Sequence, residues 1–424
     1  MGRSAAFVFT ILTIGLTGVA DTAQLARSAP GAGLYDPNTN HLWNRVHRTL
    51  NVRTSGGQDF GADRLDPLVW GDTQHLLTGA SHTQALATLD EFIKRRGELL
   101  IVDPTRRAIF QRDLWAIFDW LAEPYGPNQD ARRALMTRLA RMIRGVALTR
   151  DQIARLPDTY RAAAASRALP SLPEDLDTPS GPWIAVGGLA SVVPQHADEL
   201  SRSAFVVLWR LPGGAADTAG YLTRLWESPQ PFVSDESFQI RDGERRVKIN
   251  PALPPIPDWT QIALVRTALL IDRDGRVVPS RLVESIQLRT FNTGSFNSVQ
   301  TFAEFMMSRT ALFAGQSGGL KALRPDDEDL LTFSDKGMDN FEHAPGRAVR
   351  GNRVLDMCGA CHSDLAPRLE SIRSLPHILR PNALVDSRHE RWVRWNSQAD
   401  AAARLKANRY DWGVLQALWR STPR

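Results

Sequence analysis

Cys358-Gly-Ala-Cys361-His362 is where residue type and spacing most directly dictate chemistry, and it holds both cysteines of the 424-residue chain. Two thiols separated by two residues can add across the two vinyl groups of a haem, and the adjacent imidazole can then ligate the iron. The same spacing suits a dithiol–disulfide redox pair on a βαβ scaffold, a short structural disulfide, or part of a zinc site completed by His362 or another histidine. Against the dithiol reading, residues 346–356 are rich in Arg and Gly rather than forming an apolar strand, and only 62 residues follow His362. Against the disulfide, so short a loop removes little chain entropy. Covalent haem therefore leads, and the other three readings stay open beside it.

On Cys358, Cys361 and His362, together with a C-terminal helix, residues 335–424 resemble the c-type cytochromes. Ala366-Pro-Arg-Leu369 is similar to the Gly-Pro-x-Leu segment that follows the motif in that family. The resemblance implies one covalently attached haem c, with thioethers at Cys358 and Cys361 and His362 as proximal ligand. It also implies a second-sphere role for Pro367, whose carbonyl would orient that imidazole. The family's small soluble members supply a Met some tens of residues after the motif as second axial ligand, but this chain has no Met beyond Met357. The candidates for the distal position are then His377 first, His389, and upstream Met338 and His343, or an open site. A Met ligand raises the iron potential relative to His, and a vacant position admits small ligands or peroxide. In plan the chain is similar to large exported bacterial proteins that carry one such motif near the end.

Export is also expected from the N-terminus, where Arg3 precedes an apolar run from Ala5 to about Val19 and the small-x-small sequence Gly18-Val-Ala20. That is the pattern of a signal peptide, ending after Ala20 or Ala23. The run is shorter than the ~20 residues of a membrane span, and no other stretch is long enough. A periplasmic or extracellular location follows, where haem attachment in bacteria takes place. The formal charge is +5, from 51 basic and 46 acidic residues. No basic stripe with interleaved aromatics precedes residue 360, so nucleic acid is not an expected partner. Beyond the motif, residues 363–424 hold eleven Arg and Lys against six Asp and Glu. That excess reads as a solvated face or as a docking surface for an acidic redox partner protein. The oligomeric state is left open.

The elements that must position the motif divide the chain into a signal peptide (1–23), an irregular arm (24–81), a helical unit (82–175), an α+β unit (176–325) and a haem domain (326–424). Leu86, Leu89 and Ile93 share one helical face, and Phe110, Leu114, Ile117, Phe118 and Leu121 share another behind the opening Asp103-Pro104. Further helices are expected over 129–144 and, broken by Pro157, over 149–169. Strands are expected over 204–209, 261–271 and 277–291, the last two joined by the turn Asp272-Arg-Asp-Gly275. Helices are expected over 215–227, 299–309, 347–357 and 398–419. The acidic run Asp326-Asp-Glu-Asp329 is read as a helix start. The fold class is α+β with antiparallel neighbouring strands. The leading function is single-electron transfer. The alternatives are a haem-dependent oxidoreductase whose substrate site lies upstream, a thioredoxin-like dithiol protein, or a haem-containing binding or sensor protein.

Overall fold

The computed structural model describes residues 33–55, 58–63, 74–187, 202–235, 247–292, 300–325, 327–329, 352–353, 355 and 395–421. The expected signal peptide, residues 1–23, lies outside them. The chain is α+β. Helices α1 (Leu42–Asn51), α2 (Gly79–Lys94), α3 (Pro104–Leu121) and α4 (Gln129–Val146) come first, followed by the short α5 (Arg150–Ala154) and α6 (Thr159–Ser166). A small hairpin, β1 (Arg53–Ser55) and β2 (Gln58–Phe60), follows α1.

The rest is built on a six-stranded antiparallel meander, ordered β10-β9-β8-β7-β4-β3. Its strands are β3 (Ile184–Gly187), β4 (Ser203–Arg210), β7 (Gln261–Ile271), β8 (Val277–Phe291), β9 (Gln300–Met307) and β10 (Leu320–Ala322). The link from β4 to β7 contains α7 (Ala215–Trp226) and the pair β5 (Phe232–Ser234) and β6 (Val247–Ile249). α8 (Arg309–Phe313) joins β9 to β10, β11 (Glu328–Asp329) pairs with β12 (Asn352–Arg353), and α9 (Trp395–Ala407) and α10 (Tyr410–Ser421) close the described chain.

Strand β4 shows how both faces of the sheet are covered. Phe205, Val207 and Trp209 pack with Tyr221, Leu222 and Leu225 of α7, while Val206 and Leu208 face Ile153, Leu156 and Tyr160 of the α5–α6 side. With apolar neighbours on both faces the strand loses its polar alternation and reads as an unbroken apolar run. The same logic shapes α3. The Asp103 carboxylate accepts the Arg106 amide hydrogen, and Pro104 occupies the first turn, where no amide hydrogen is missed. From Ala108 to Phe118 every residue of α3 is buried. One flank joins α1, α2 and α4, and the other, through Ala108 and Ile109, joins the sheet.

The C-terminal helices join the first of these cores. Ala402, Ala403, Trp412, Leu415 and Trp419 pack in one cluster with Leu114, Trp115 and Leu139. Gln416 donates to the Gly275 carbonyl at 2.9 Å, and Arg144 donates to the Trp419 carbonyl at 2.8 Å. Gly275 has φ +76°, and a Cβ there would stand 3.1 Å from Trp419 Nε1. Only glycine meets both demands of this turn.

Five expectations are corrected. The arm expected to be irregular contains α1, which buries Leu42, Trp43, Val46 and Leu50; its N-cap is His41, which carries no conventional start signal. The helix expected over 299–309 is strand β9 up to Met307, because pairing with β8 overrides an apolar spacing that suits either element. The single helix expected over 398–419 is two, divided at Asn408-Arg409. Asn352 and Arg353, within the helix expected over 347–357, form β12 instead; they pair with Glu328 and Asp329, which are strand and not a helix start.

Candidate functional site

Cys358, Cys361, His362, Pro367 and the distal candidates His377, His389, Met338 and His343 all lie outside the described residues. The described elements nearest the motif in sequence are β12 before it and α9 after it. The donor set itself fits covalent haem. It offers two thiols at the attachment spacing, an imidazole on the adjacent residue, and no third cysteine anywhere in the chain to draw either thiol into another bond.

Besides the packing of Ala402 and Ala403, a chain of largely buried charges that runs from α3 to α10 fastens the end of α9. The Lys406 ammonium, fully enclosed, donates to Asp119 Oδ2 at 2.7 Å and to the Asp411 carboxylate, and stands 5.3 Å from the Trp115 ring centroid. Asp119 also takes Arg202 Nη1 at 2.8 Å, and Asp411 takes Arg409 Nε at 3.1 Å. Burial pushes the Lys406 pKa down, and Asp119 and Asp411 restore only part of that loss. Burial also opposes the Asp411 carboxylate, but Lys406 and Arg409 outweigh it and hold its pKa below the ordinary value. An ammonium in so dry a place is stable only because two carboxylates share it.

A second cluster lies on the sheet beside α3. Arg112 meets Glu284 at 2.9 Å with both side chains enclosed, and Arg266 Nε approaches the other Glu284 oxygen at 2.6 Å. The Ser203 hydroxyl donates to Glu284 Oε2 at 2.5 Å and accepts from Arg112 at 2.9 Å and Arg266 at 3.1 Å. One donor and two acceptor positions exhaust a hydroxyl. Ser203 is therefore a junction in the network, with its lone pairs engaged, and not an activated nucleophile.

A third cluster ties α1, α3 and α8 together. Tyr35 donates to Asp113 Oδ2 at 2.9 Å, and Asp113 is paired with Arg309, both wholly enclosed. Arg309 also donates to the Ala62 carbonyl at 3.1 Å. Burial raises the Tyr35 pKa well above its ordinary value, reinforced by Asp113. His47, on α1, stands with its ring 5.7 Å from that of Tyr35, and its Nε2 has no hydrogen-bond partner. Burial, then Arg309 and Arg48, lower its pKa well below the ordinary imidazole value, so the ring is neutral near pH 7.

One shallow depression of about 460 Å³ lies where β4 runs into α7, lined by Leu211, Pro212, Gly213, Asp217, Arg224 and Pro257. Among the described residues no group of three or more His, Cys, Asp or Glu stands ready to hold a metal ion. No helix of the described residues is long and apolar enough to cross a membrane. The buried charges escaped sequence reasoning because their partners lie far apart in the chain, as with Arg112 and Glu284. The available signal was the charged pair Arg112-Asp113 between the apolar stretches Ala108–Phe110 and Leu114–Phe118 of α3. Comparison with protein-family models, curated proteins and solved structures finds no match to this chain.

Proposed function

We propose that the chain is an exported protein that carries one covalently attached haem c and transfers single electrons. The observation that carries this reading is the set Cys358, Cys361 and His362 at attachment spacing, in a chain with no other cysteine. Cys358 and Cys361 would hold the haem through thioethers and His362 through its imidazole, with Pro367 orienting that ring. Bound there, haem supplies a one-electron iron couple. The distal ligand is His377 in this reading, with His389, Met338 and His343 behind it. The haem domain is residues 326–424 in this reading, its motif standing between β12 and α9, and the charge chain around Lys406 supports the reading by fixing the chain downstream of the motif. An acidic redox protein is the proposed partner, met by the basic excess that follows the motif.

The test is expression with a haem-attachment system and export. The expected protein keeps a Soret band after denaturation, gains the mass of one haem, and shows a reversible one-electron couple. Cys361→Ser should leave haem on a single tether or none, and His362→Ala should alter the ligation spectrum with haem still attached. Absence of haem mass on the denatured wild-type chain refutes the proposal.

A further inference from the structure

The turn between α2 and α3 is built with care and yet shows its apolar side chains to water. Leu99 is 57% exposed, Leu100 45% and Val102 83%, with only Ile101 of this run turned inward. Rigid backbone, not looseness, puts them there. Arg96 leaves α2 in the left-handed region at φ 53°, an uncommon conformation for a side chain with a Cβ. Gly97 follows against the Phe92 ring, where a Cβ would approach within 2.6 Å, and its carbonyl accepts the Trp43 indole hydrogen at 2.7 Å. The Arg107 guanidinium then gathers four carbonyls, those of Glu98 at 2.6 Å, Gly145 at 2.9 Å, and Ile101 and Val146 at 3.3 Å. A turn fixed this firmly holds its aliphatic tip in one orientation.

The rim of the tip is cationic. Lys94, Arg95 and Arg96 are exposed on the α2 side. Arg95 shares Glu91 with Arg45 and Arg96 lies 3.5 Å from Glu98, so these two cations are partly neutralised where they stand, while Asp103 caps α3 and Lys94 adds a further positive charge to the rim. A projecting aliphatic tip with basic shoulders matches an anionic membrane surface, where side chains enter the acyl boundary and cations meet headgroups. A protein partner fits less well, since a stable interface needs ~800 Å² from each side, and three aliphatic side chains on one turn present a few hundred Å² at most.

We propose that Leu99, Leu100 and Val102, with Lys94, Arg95 and Arg96 around them, form a docking tip for the surface of a bilayer containing anionic lipid. The proposal stands on the turn alone and does not depend on haem.

The experiment is co-sedimentation of the full chain with vesicles of phosphatidylcholine, or of phosphatidylcholine with phosphatidylglycerol. Wild type is compared with Leu99→Ser/Leu100→Ser/Val102→Ser and, separately, with Val102→Asp. All three proteins carry the same N-terminus, so the difference between them reads the tip. The wild type should bind the anionic vesicles, and binding should weaken as salt screens the headgroups. Both variants should bind at least about tenfold more weakly, from lost aliphatic insertion, with unchanged circular dichroism because the positions face solvent. Lys94→Gln/Arg96→Gln should bind several-fold more weakly and lose most of the salt dependence. Equal vesicle binding by wild type and Val102→Asp overturns the proposal. So does a wild-type dimer that dissociates in the triple-serine variant, since the tip would then be a contact between copies of the chain.

Discussion

Lys406→Met is the most informative single change in the anchorage of the C-terminal helices. Methionine keeps the length and apolar stem of lysine, so packing beside Trp115 is largely preserved and the change isolates the charge. Two carboxylates, Asp119 and Asp411, then share a buried site without the ammonium that now lies 2.7 Å from Asp119. Breaking a buried pair from one side costs about 3–5 kcal/mol. Here Asp119 retains Arg202 and Asp411 retains the half-exposed Arg409, so the lower end, ~3 kcal/mol, is expected. Adding Asp411→Asn to Lys406→Met should recover part of the loss, because the stranded charge goes with it. The assay is urea unfolding followed by tryptophan fluorescence. Trp115 and Trp412, whose rings lie 5.9 Å apart beside the lysine, contribute to that signal along with the chain's other tryptophans. Hydrogen exchange over α9 and α10 would show whether the helices open as a unit. A loss below ~1 kcal/mol, or no recovery in the double variant, would refute the view that these charges fasten the helices, since that is the scale of a solvent-exposed pair.

Two other outcomes follow from the same structure. His47 has a folded pKa well below its unfolded value, so below ~6.5 the unfolded chain binds a proton that the folded chain refuses. Stability should therefore fall as pH drops through that value, by up to ~1.4 kcal/mol per pH unit for this group, until the folded pKa is reached. His47→Gln should flatten that limb in denaturant midpoints measured between neutral and mildly acidic pH, and an unchanged slope would contradict the assignment. Gly275→Ala should destabilise by roughly 1–2 kcal/mol from the left-handed backbone alone, with a further penalty from crowding Trp419. A thermal midpoint equal to that of the wild type would show that the turn does not constrain α10.

Local signals in the sequence suffice where local physics decides. The strands Gln261–Ile271 and Val277–Phe291 and the turn between them stand where apolar runs and Asp272-Arg-Asp-Gly275 put them, since a tight turn states its own chemistry in four residues. α3 begins at Pro104 because Asp103 and Pro104 are sufficient to begin it. β9 stands where a helix is expected because Phe302, Phe305 and Met306 suit one helical face as well as a strand, and the deciding partner, β8, enters only in three dimensions. The pairing of Asp119 with Lys406 spans 287 positions, and no periodicity carries that information. Cys358, Cys361 and His362 stand out for the opposite reason: both thiols and the imidazole sit within five residues, so their spacing needs no tertiary partner to be seen.

Trp412, Leu415 and Trp419 share a core with Trp43, Phe92 and Trp115, residues made some three hundred positions earlier. Synthesis proceeds from the N-terminus, so Cys358 and Cys361 are made while the site awaiting those tryptophans is still empty. The cysteines and His362 thus meet their surroundings on an unfinished chain, and the arrival of α10 ends that interval. A nascent chain halted before residue 412 would hold the motif indefinitely in the earlier state.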